Sequence, residues 1–395
     1  MDNDLNLPVS LIIGLRNNLN YTIAFYNSVR QHYPNVEIVF VSFGSTDGTH
    51  KWLEDLEDKN VIYFASYESK TLSETYNKGV ELSTRELICY MHNDMIVSKG
   101  FIEELVASRK NHRVSFYTVV EPPIFTSDTH DWKIVKDFGD IIEHFDYEKF
   151  NEFTIKRLSD ENLKNFETRD PFFFLCMHRD ENLRLGGLDP LFNPMFCEDS
   201  DLLLRLKLLE FEMIQLPRAI VYHFVSKTSR FSEEFLNKTQ RIEENSVRNF
   251  YRKWSFAPGA KVFRRFDIGA IVMNGEAQEM IKIEPYVAKV YTDSNIENYI
   301  ENEQKNTLYN LKNKFRSINQ MEYHDVIITL DMGRMKVSDY ENIKKLSEIL
   351  EENYLGKKSF IRRFLFNRNN FRIGAISFKI NVLLGREKEL VQNYI

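Results

Sequence analysis

Glu198-Asp199-Ser200-Asp201 sets three carboxylates within four residues, and an apolar run from Leu202 to Leu209 follows, broken by Arg205 and Lys207. Three ionised carboxylates cannot share a dry core, because each unpaired buried charge costs about several kcal/mol. They must face water, a cation or a substrate. The run after them reads as a helix apolar around much of its circumference, and therefore buried. The acids then occupy the loop and first turn before a buried helix, where the dipole favours negative charge and where they can project into a cleft. Asp201 reads as the cap of that helix. Gly186-Gly187-Leu188-Asp189 lies just upstream, and an isolated His223 closes a later apolar run.

The elements that must position these groups are legible in the first ninety residues. Val9 to Ile13 is a short apolar strand ended by Gly14, followed by a helical pattern with Tyr21, Phe25 and Val29 on one face. Val36 to Val41 is a second strand, running into the turn Gly44-Ser45-Thr46-Asp47-Gly48-Thr49 ahead of an amphipathic stretch with Trp52, Leu53 and Leu56. Val61 to Phe64, a helix over Leu72 to Leu82, and a strand over Leu87 to Met91 complete a βαβαβαβ alternation. That alternation predicts a mainly parallel sheet with helices on both faces, binding ligands at the carboxyl ends of its strands. Polar residues recur at those ends: Arg16 and Asn17, the Gly-Ser-Thr-Asp-Gly turn, and His92-Asn93-Asp94.

With these motifs in order, the chain resembles family 2 glycosyltransferases, which have the nucleotide-sugar-binding GT-A fold. The residues that carry the resemblance are Ser10 to Ile13 with Asn17, the Gly44 to Thr49 turn, Asn77-Lys78-Gly79 and His92-Asn93-Asp94 in the place of an Asp-x-Asp motif. Gly186 to Asp189, Glu198 to Leu202 with Arg205, and Pro217 to His223 continue the series, over roughly residues 8 to 230. The resemblance implies an α/β GT-A domain and sugar transfer from a nucleotide-diphosphate donor to a hydroxyl with inversion.

A divalent cation, Mn or Mg, suits that chemistry because it neutralises the departing diphosphate. By resemblance Asp94 is the main metal ligand and His223 the second, while His92 can touch the ribose or the metal. Asp199 is the implied base, with Glu198 holding it or binding acceptor. Leu15, Arg16, Asn17, Ser42, Phe43, Ser45, Asp47, Asn77, Lys78, His92, Asn93 and Asp94 form the implied donor-binding set. Gly187, Asp189, Lys227 and Arg230 are the implied contacts to sugar, acceptor or diphosphate; for Asp189 the alternative is a turn Asp bonding its own backbone.

Two departures stand out. The family's second strand usually ends in Asp-Asp, with an acid there contacting the base, but this chain has Ser42 and Phe43. Ser42 can still hydrogen-bond an imide and Phe43 can stack. His92 replaces the first Asp of the metal motif. The rival reading is therefore a catalytically degenerate GT-A module that serves as a glycan-binding or protein-interaction scaffold.

A formal net charge of -6 lacks the basic footprint of a general nucleic-acid binder. Cys89, Cys176 and Cys197 have no metal-ligand spacing and read as small buried hydrophobes. The acidic opening, Met1-Asp2-Asn3-Asp4, is not a signal peptide, and no run reaches the length of a membrane span. The expectation is a cytoplasmic enzyme, with any membrane contact peripheral and with a glycan, lipid-linked or protein hydroxyl as acceptor.

Between the two halves of the site, Lys99 to Ser108 reads as a helix, Val114 to Val120 as a strand, Glu121-Pro122-Pro123 as a break, and Phe172 to Leu175 as a buried strand. The aromatic stretch from Ile124 to Arg169 either shapes the acceptor pocket or forms a surface helical insertion. Phe231 to Arg252 reads as a helix that closes a catalytic domain over residues 1–258. Residues 259–395 read as a small accessory α/β domain of unassigned role, a possible route to a homo-oligomer. Its strands fall at Ile268 to Met273, Val326 to Leu330 and Ile373 to Ile380, with a capping-box spacing at Ser338 to Glu341. Within it Lys357, Lys358, Arg362, Arg363, Arg368 and Arg372 interleave with Phe360, Phe364, Phe366 and Phe371, fitting an anionic lipid surface or the solvated edge of a strand pair.

Overall fold

The computed structural model describes residues 7–124, 130–225, 237–259, 261–352 and 369–392. The chain divides into two compact units, residues 1–190 with 198–240, and residues 191–197 with 241–395. The division after residue 240 precedes the expected boundary at 258 and assigns helix α8 (Thr239–Trp254) almost entirely to the second unit.

The first unit is a sheet of ten strands among the described residues. In chain order they are β1 (Val9–Leu15), β2 (Glu37–Phe43), β3 (Val61–Ser66), β4 (Leu87–His92), β5 (Met95–Val97), β6 (Arg113–Glu121), β7 (Lys133–Val135), β8 (Phe166–Glu167), β9 (Leu175–His178) and β10 (Glu212–His223). The main path runs β3-β2-β1-β4-β9-β6-β10-β5. β1 pairs in parallel with β2 and β4, and β6 with β10, while β9 runs antiparallel between β4 and β6. The expected α/β class with a mainly parallel central sheet is what the chain adopts. Every residue of β2 is buried, as an apolar strand covered by helices on both faces should be.

The helices are α1 (Leu19–His32), α2 (Thr49–Glu54), α3 (Leu72–Leu82), α4 (Phe101–Ala107), α5 (Tyr147–Leu158), α6 (Arg179–Arg184) and α7 (Glu198–Leu208). Thr71 and Glu74 form a reciprocal capping box that starts α3. Gly79 lets α3 settle on the sheet, since a Cβ there would stand 2.5 Å from Ile12 Cγ2.

The expected strand at Phe172 to Leu175 is displaced: β9 begins at Leu175, whose partner is Phe116, and ends at His178 opposite Leu87. The phenylalanines before it pack instead of pairing. Phe172 stacks on Trp132 at 4.1 Å, and Phe174 meets His223 edge-on at 5.4 Å. In the aromatic stretch, Phe138, Phe145 and Phe150 are buried against Tyr222 and Phe224. These rings pack in the core, with Phe150 on helix α5.

The second unit contains a six-stranded sheet in the order β13-β12-β11-β14-β16-β15. Its strands are β11 (Ile268–Met273), β12 (Lys289–Tyr291), β13 (Phe315–Arg316), β14 (Val326–Asp331), β15 (Asn370–Ile373) and β16 (Ile376–Ile380). The expected single strand over 373–380 is therefore a hairpin turned at Gly374, which has φ 55. Helix α9 (Glu297–Glu303) follows β12, and α10 (Val337–Lys344) and α11 (Leu346–Leu350) follow β14. α10 starts earlier than the Ser338 spacing suggests, because the Asp339 side chain accepts from the Lys336 N–H at 2.8 Å.

A buried ionic network ties the second unit together. Glu284 accepts from Arg252 at 2.7 Å, Lys314 at 2.7 Å and Tyr299 at 2.8 Å, and Arg252 also reaches Glu303 at 2.7 Å. Phe371 stacks on Phe378 at 4.3 Å within the edge hairpin, while Lys357, Lys358, Arg362, Arg363 and Arg368 lie outside the described residues. Among the described residues no helix is long and apolar enough to cross a membrane.

Candidate active site

β4 ends at His92, and the turn Asn93-Asp94 carries the chain into β5, which pairs antiparallel with the end of β10 so that His223 lies opposite Met95. That register brings the distant His223 beside His92 and Asp94. His223 Nε2 is 3.3 Å from Asp94 Oδ1 and 3.5 Å from His92 Nδ1. One donor atom from each of the three residues lies within 4.8 Å of the others. Asn93 holds the turn by donating to Thr22 Oγ1 at 3.0 Å.

His223 is backed by a carboxylate. Its Nδ1 is 2.9 Å from Glu121 Oε1, at the end of β6, and Glu121 Oε2 is 3.1 Å from Lys133 Nζ on β7. Burial would lower the His223 pKa, but Asp94 and then Glu121 outweigh it and raise it to about 9. For Glu121, burial is likewise outweighed by His223 and Lys133, which hold it below the usual carboxylate range. His92 goes the other way: burial, then the neighbouring His223, lower it to about 4 and leave it neutral.

Neutral His92, the Asp94 carboxylate and His223, which would give up its Nε2 proton to a cation while Glu121 holds Nδ1, make a donor set suited to a divalent metal. Glu121 and Lys133 were invisible to motif reading. The available signal was positional, since Glu121 closes an apolar strand just as His92 and His223 do.

The acidic loop is built differently from its expectation. Asp201 does not cap α7; it is fully buried and pairs with Arg205 at 2.9 Å, one helical turn on. The same guanidinium donates to the carbonyls of Leu185 and Gly187, each at 2.6 Å. Asn77 closes the turn from the other side, accepting from Leu188 N–H at 2.8 Å and donating to Leu188 O at 2.7 Å. Gly187 has φ 62, and a Cβ there would stand 2.2 Å from Asn77 Oδ1, so only glycine fits. Asn77 thus shapes the turn that presents Asp189, whose backbone carbonyl accepts from Ser73 at 3.1 Å.

Glu198 is buried, and its Oε2 has no hydrogen-bond partner among the described residues. Burial, then the Asp199 and Asp201 charges, raise its pKa well above the usual range. Asp199 is half-buried, and its Oδ1 accepts from Ser200 N–H at 2.7 Å. Burial raises the Tyr76 phenol, and the nearby Asp94 charge adds to the rise.

The expected donor residues at β1, β2 and α3 mostly support one another. Arg16 donates to Phe43 O at 2.8 Å and spans Gly44. Asn17 bonds Ser45 Oγ at 2.9 Å and Thr46 N–H at 2.7 Å, and Asp47 accepts from Leu19 N–H at 2.8 Å and Thr49 Oγ1 at 2.6 Å. Leu15 is buried, and Phe43 packs on Phe64 at 5.3 Å. Ser42, expected to face an imide, is fully buried, bonded to Ser45 Oγ at 2.8 Å and to His50 Nε2 at 2.9 Å. Lys78 turns to Glu81 at 3.0 Å, its Nζ 5.5 Å from the centre of the Phe64 ring. Lys227 and Arg230 lie outside the described residues.

Residues 10–179 match the family model described as glycosyl transferase family 2. No curated protein matches the chain. Similar solved structures include GalNAc-T7 with UDP, GalNAc and Mn2+, at 13% identity over 64% of this chain and 49% of that one, with a TM-score of 0.46. Another is the mannosyltransferase PcManGT from Pyrobaculum calidifontis in complex with GDP-Man and Mn2+, at 14% identity over 63% of this chain and 64% of that one, with a TM-score of 0.41. This chain thus spans about half the length of the first and under two thirds of the second.

Proposed function

We propose, from the premise that residues 10–179 form a glycosyl transferase family 2 domain, that this chain transfers a sugar from a nucleotide-diphosphate donor, a UDP-sugar, to a hydroxyl acceptor with inversion, in glycan or polysaccharide biosynthesis. The observation that carries this reading is the convergence of His92, Asp94 and His223 at the carboxyl end of a parallel sheet, with Glu121 behind His223.

Asp94 and His223, with His92, would hold a divalent cation, whose chemistry is to neutralise the diphosphate as it leaves. Two imidazoles beside one carboxylate suit Mn better than Mg, which prefers oxygen alone. Glu121 keeps His223 oriented, with Nε2 towards the other ligands. Asp199, partly exposed and ionisable, takes the proton from the acceptor hydroxyl as its oxygen bonds to the anomeric carbon. Glu198, buried next to Asp199 in the chain, holds that base or binds acceptor. Asp201, Arg205 and Asn77 act at one remove by fixing the Gly187 turn, which presents Asp189 to the sugar. The acceptor is a glycan, lipid-linked or protein hydroxyl, the protein is cytoplasmic or peripheral at a membrane, and any homo-oligomer would form through the second unit.

The saturated, buried Ser42 where the family has an acid favours one alternative, a module that binds without turnover. A nucleotide-sugar panel with Mn or Mg, read by thermal stabilisation and donor hydrolysis, separates the two. Metal-dependent stabilisation by one nucleotide class, lost in Asp94→Ala, with turnover lost in Asp199→Asn, supports the transferase. No stabilisation by any nucleotide sugar with either metal would sink it.

A further inference from the structure

The second unit contains a cavity of about 870 Å³ between the start of α8, the segment after β11 and α9. That volume is within the range of small-ligand sites. Its charges balance: Arg241, Arg248 and Lys305 on one side of the ledger, Glu244, Glu276 and Glu303 on the other. Such balance disfavours a phosphate or a polyanion, which needs an excess of cations. The rest of the polar lining is amide, namely Asn245, Asn298, Asn302, Asn306 and Gln278.

The floor is rigid. Glu303, 4% exposed, receives Arg248 Nε at 3.0 Å, Arg252 at 2.7 Å and Asn306 Nδ2 at 2.9 Å. Asn245 is bonded to Arg248 and reaches Asn306 Oδ1 at 3.4 Å. At the rim, Gln278, Asn298 and Asn302 are exposed. Amide side chains carry donor and acceptor on one plane, the arrangement that bridges neighbouring hydroxyls of a sugar ring. Ala277, Ile281 and Tyr299 supply an apolar share of the lining for the ring's C–H face.

We propose that this cavity is a binding site for an uncharged saccharide, separate from the metal-ligating group of the first unit and independent of whether that unit transfers sugar. The experiment is saturation-transfer NMR and calorimetry on the full chain, without donor or metal, against neutral di- to tetrasaccharides of glucose, galactose, mannose and N-acetylglucosamine. Sialylated and sulfated oligosaccharides and a mixed peptide library serve as competing classes.

At least one neutral saccharide should bind, weaken tenfold or more in the exposed double variant Gln278→Ala/Asn302→Ala, and bind unchanged in Asp94→Ala. The exposed positions of that pair keep the fold intact, which an unchanged melting temperature checks. Absence of binding by every neutral saccharide at millimolar concentration would overturn the proposal. So would binding by the anionic sugars or peptides alone, or binding that Asp94→Ala removes and the double variant does not. Loss of donor turnover in the nucleotide panel leaves this readout untouched, so the two proposals fail separately.

Discussion

Glu121 Oε1 stands 2.9 Å from His223 Nδ1, and that contact determines which nitrogen of the ring faces Asp94. The pair joins the ends of β6 and β10, two parallel neighbours in the sheet, so the ring is aimed by backbone register as well as by its own rotamer.

Replacing Glu121 by Gln should weaken Mn affinity by about 10- to 100-fold while leaving the fold in place, since carboxylates behind a ligating His have effects of that size. Titration of Mn by calorimetry or by its spin-resonance signal gives the answer. Equal affinity in wild type and variant would show that Glu121 does not orient a ligand.

Asp199→Asn and Glu198→Gln should part company. Asp199→Asn removes the proposed base and should lower turnover by about 10²- to 10⁴-fold with nucleotide binding retained. Glu198→Gln keeps the shape of a buried side chain and leaves the base in place, so it should cost less than about tenfold by the same scale. Steady-state kinetics on the two variants decide it, and the reverse order would exchange the roles.

Arg205→Met removes the guanidinium that pairs with Asp201, a carboxylate at 0% exposure, and that donates to the carbonyls of Leu185 and Gly187. Breaking a buried pair from one side costs about 3–5 kcal/mol. Denaturant unfolding of the first unit should show that loss, whereas Lys51→Ala, at an exposed pair with Asp55, should change stability by less than about 0.5 kcal/mol.

The second unit should lose stability in acid through Glu284. Burial would raise its pKa, but Lys314 and Arg252 outweigh burial and lower it to about 2. A depressed carboxylate contributes stability that is fully present above its unfolded pKa of about 4.3 and is lost as pH falls towards the folded value. The contribution is on the order of 3 kcal/mol, with the burial of Lys314, which pushes that ammonium down, pulling against part of it. Glu284→Gln should therefore be markedly less stable than wild type at pH 7, and the gap should narrow between about pH 4 and pH 2. Urea unfolding of both proteins across that range, followed by protection of residues 241–395, tests it; a gap independent of pH would refute the assignment.

The αβ alternation, the carboxyl-end placement of polar residues and the grouping of His92 and Asp94 with His223 were legible before folding, because hydrophobic periodicity and motif order are local properties of a chain. The βα units over residues 9–92 fall where periodicity puts them. Pairing was not legible. The antiparallel entry of β9, the start of that strand at Leu175 instead of Phe172, and the hairpin at Gly374 depend on which strand lies alongside, and nothing within a strand specifies its neighbour.

The site divides in the same way. Residue types announced acids and imidazoles, but only tertiary contact made Asp201 an ion-pair partner, Asn77 a clamp on Leu188 and Ser42 an internal hydrogen-bonding group. Glu121 looked like the end of a strand before two prolines and became the group that aims His223. The physical reason is that a polar side chain's role is set by the partner that satisfies it when water is withdrawn, and those partners lie 3 to 111 residues away in the chain.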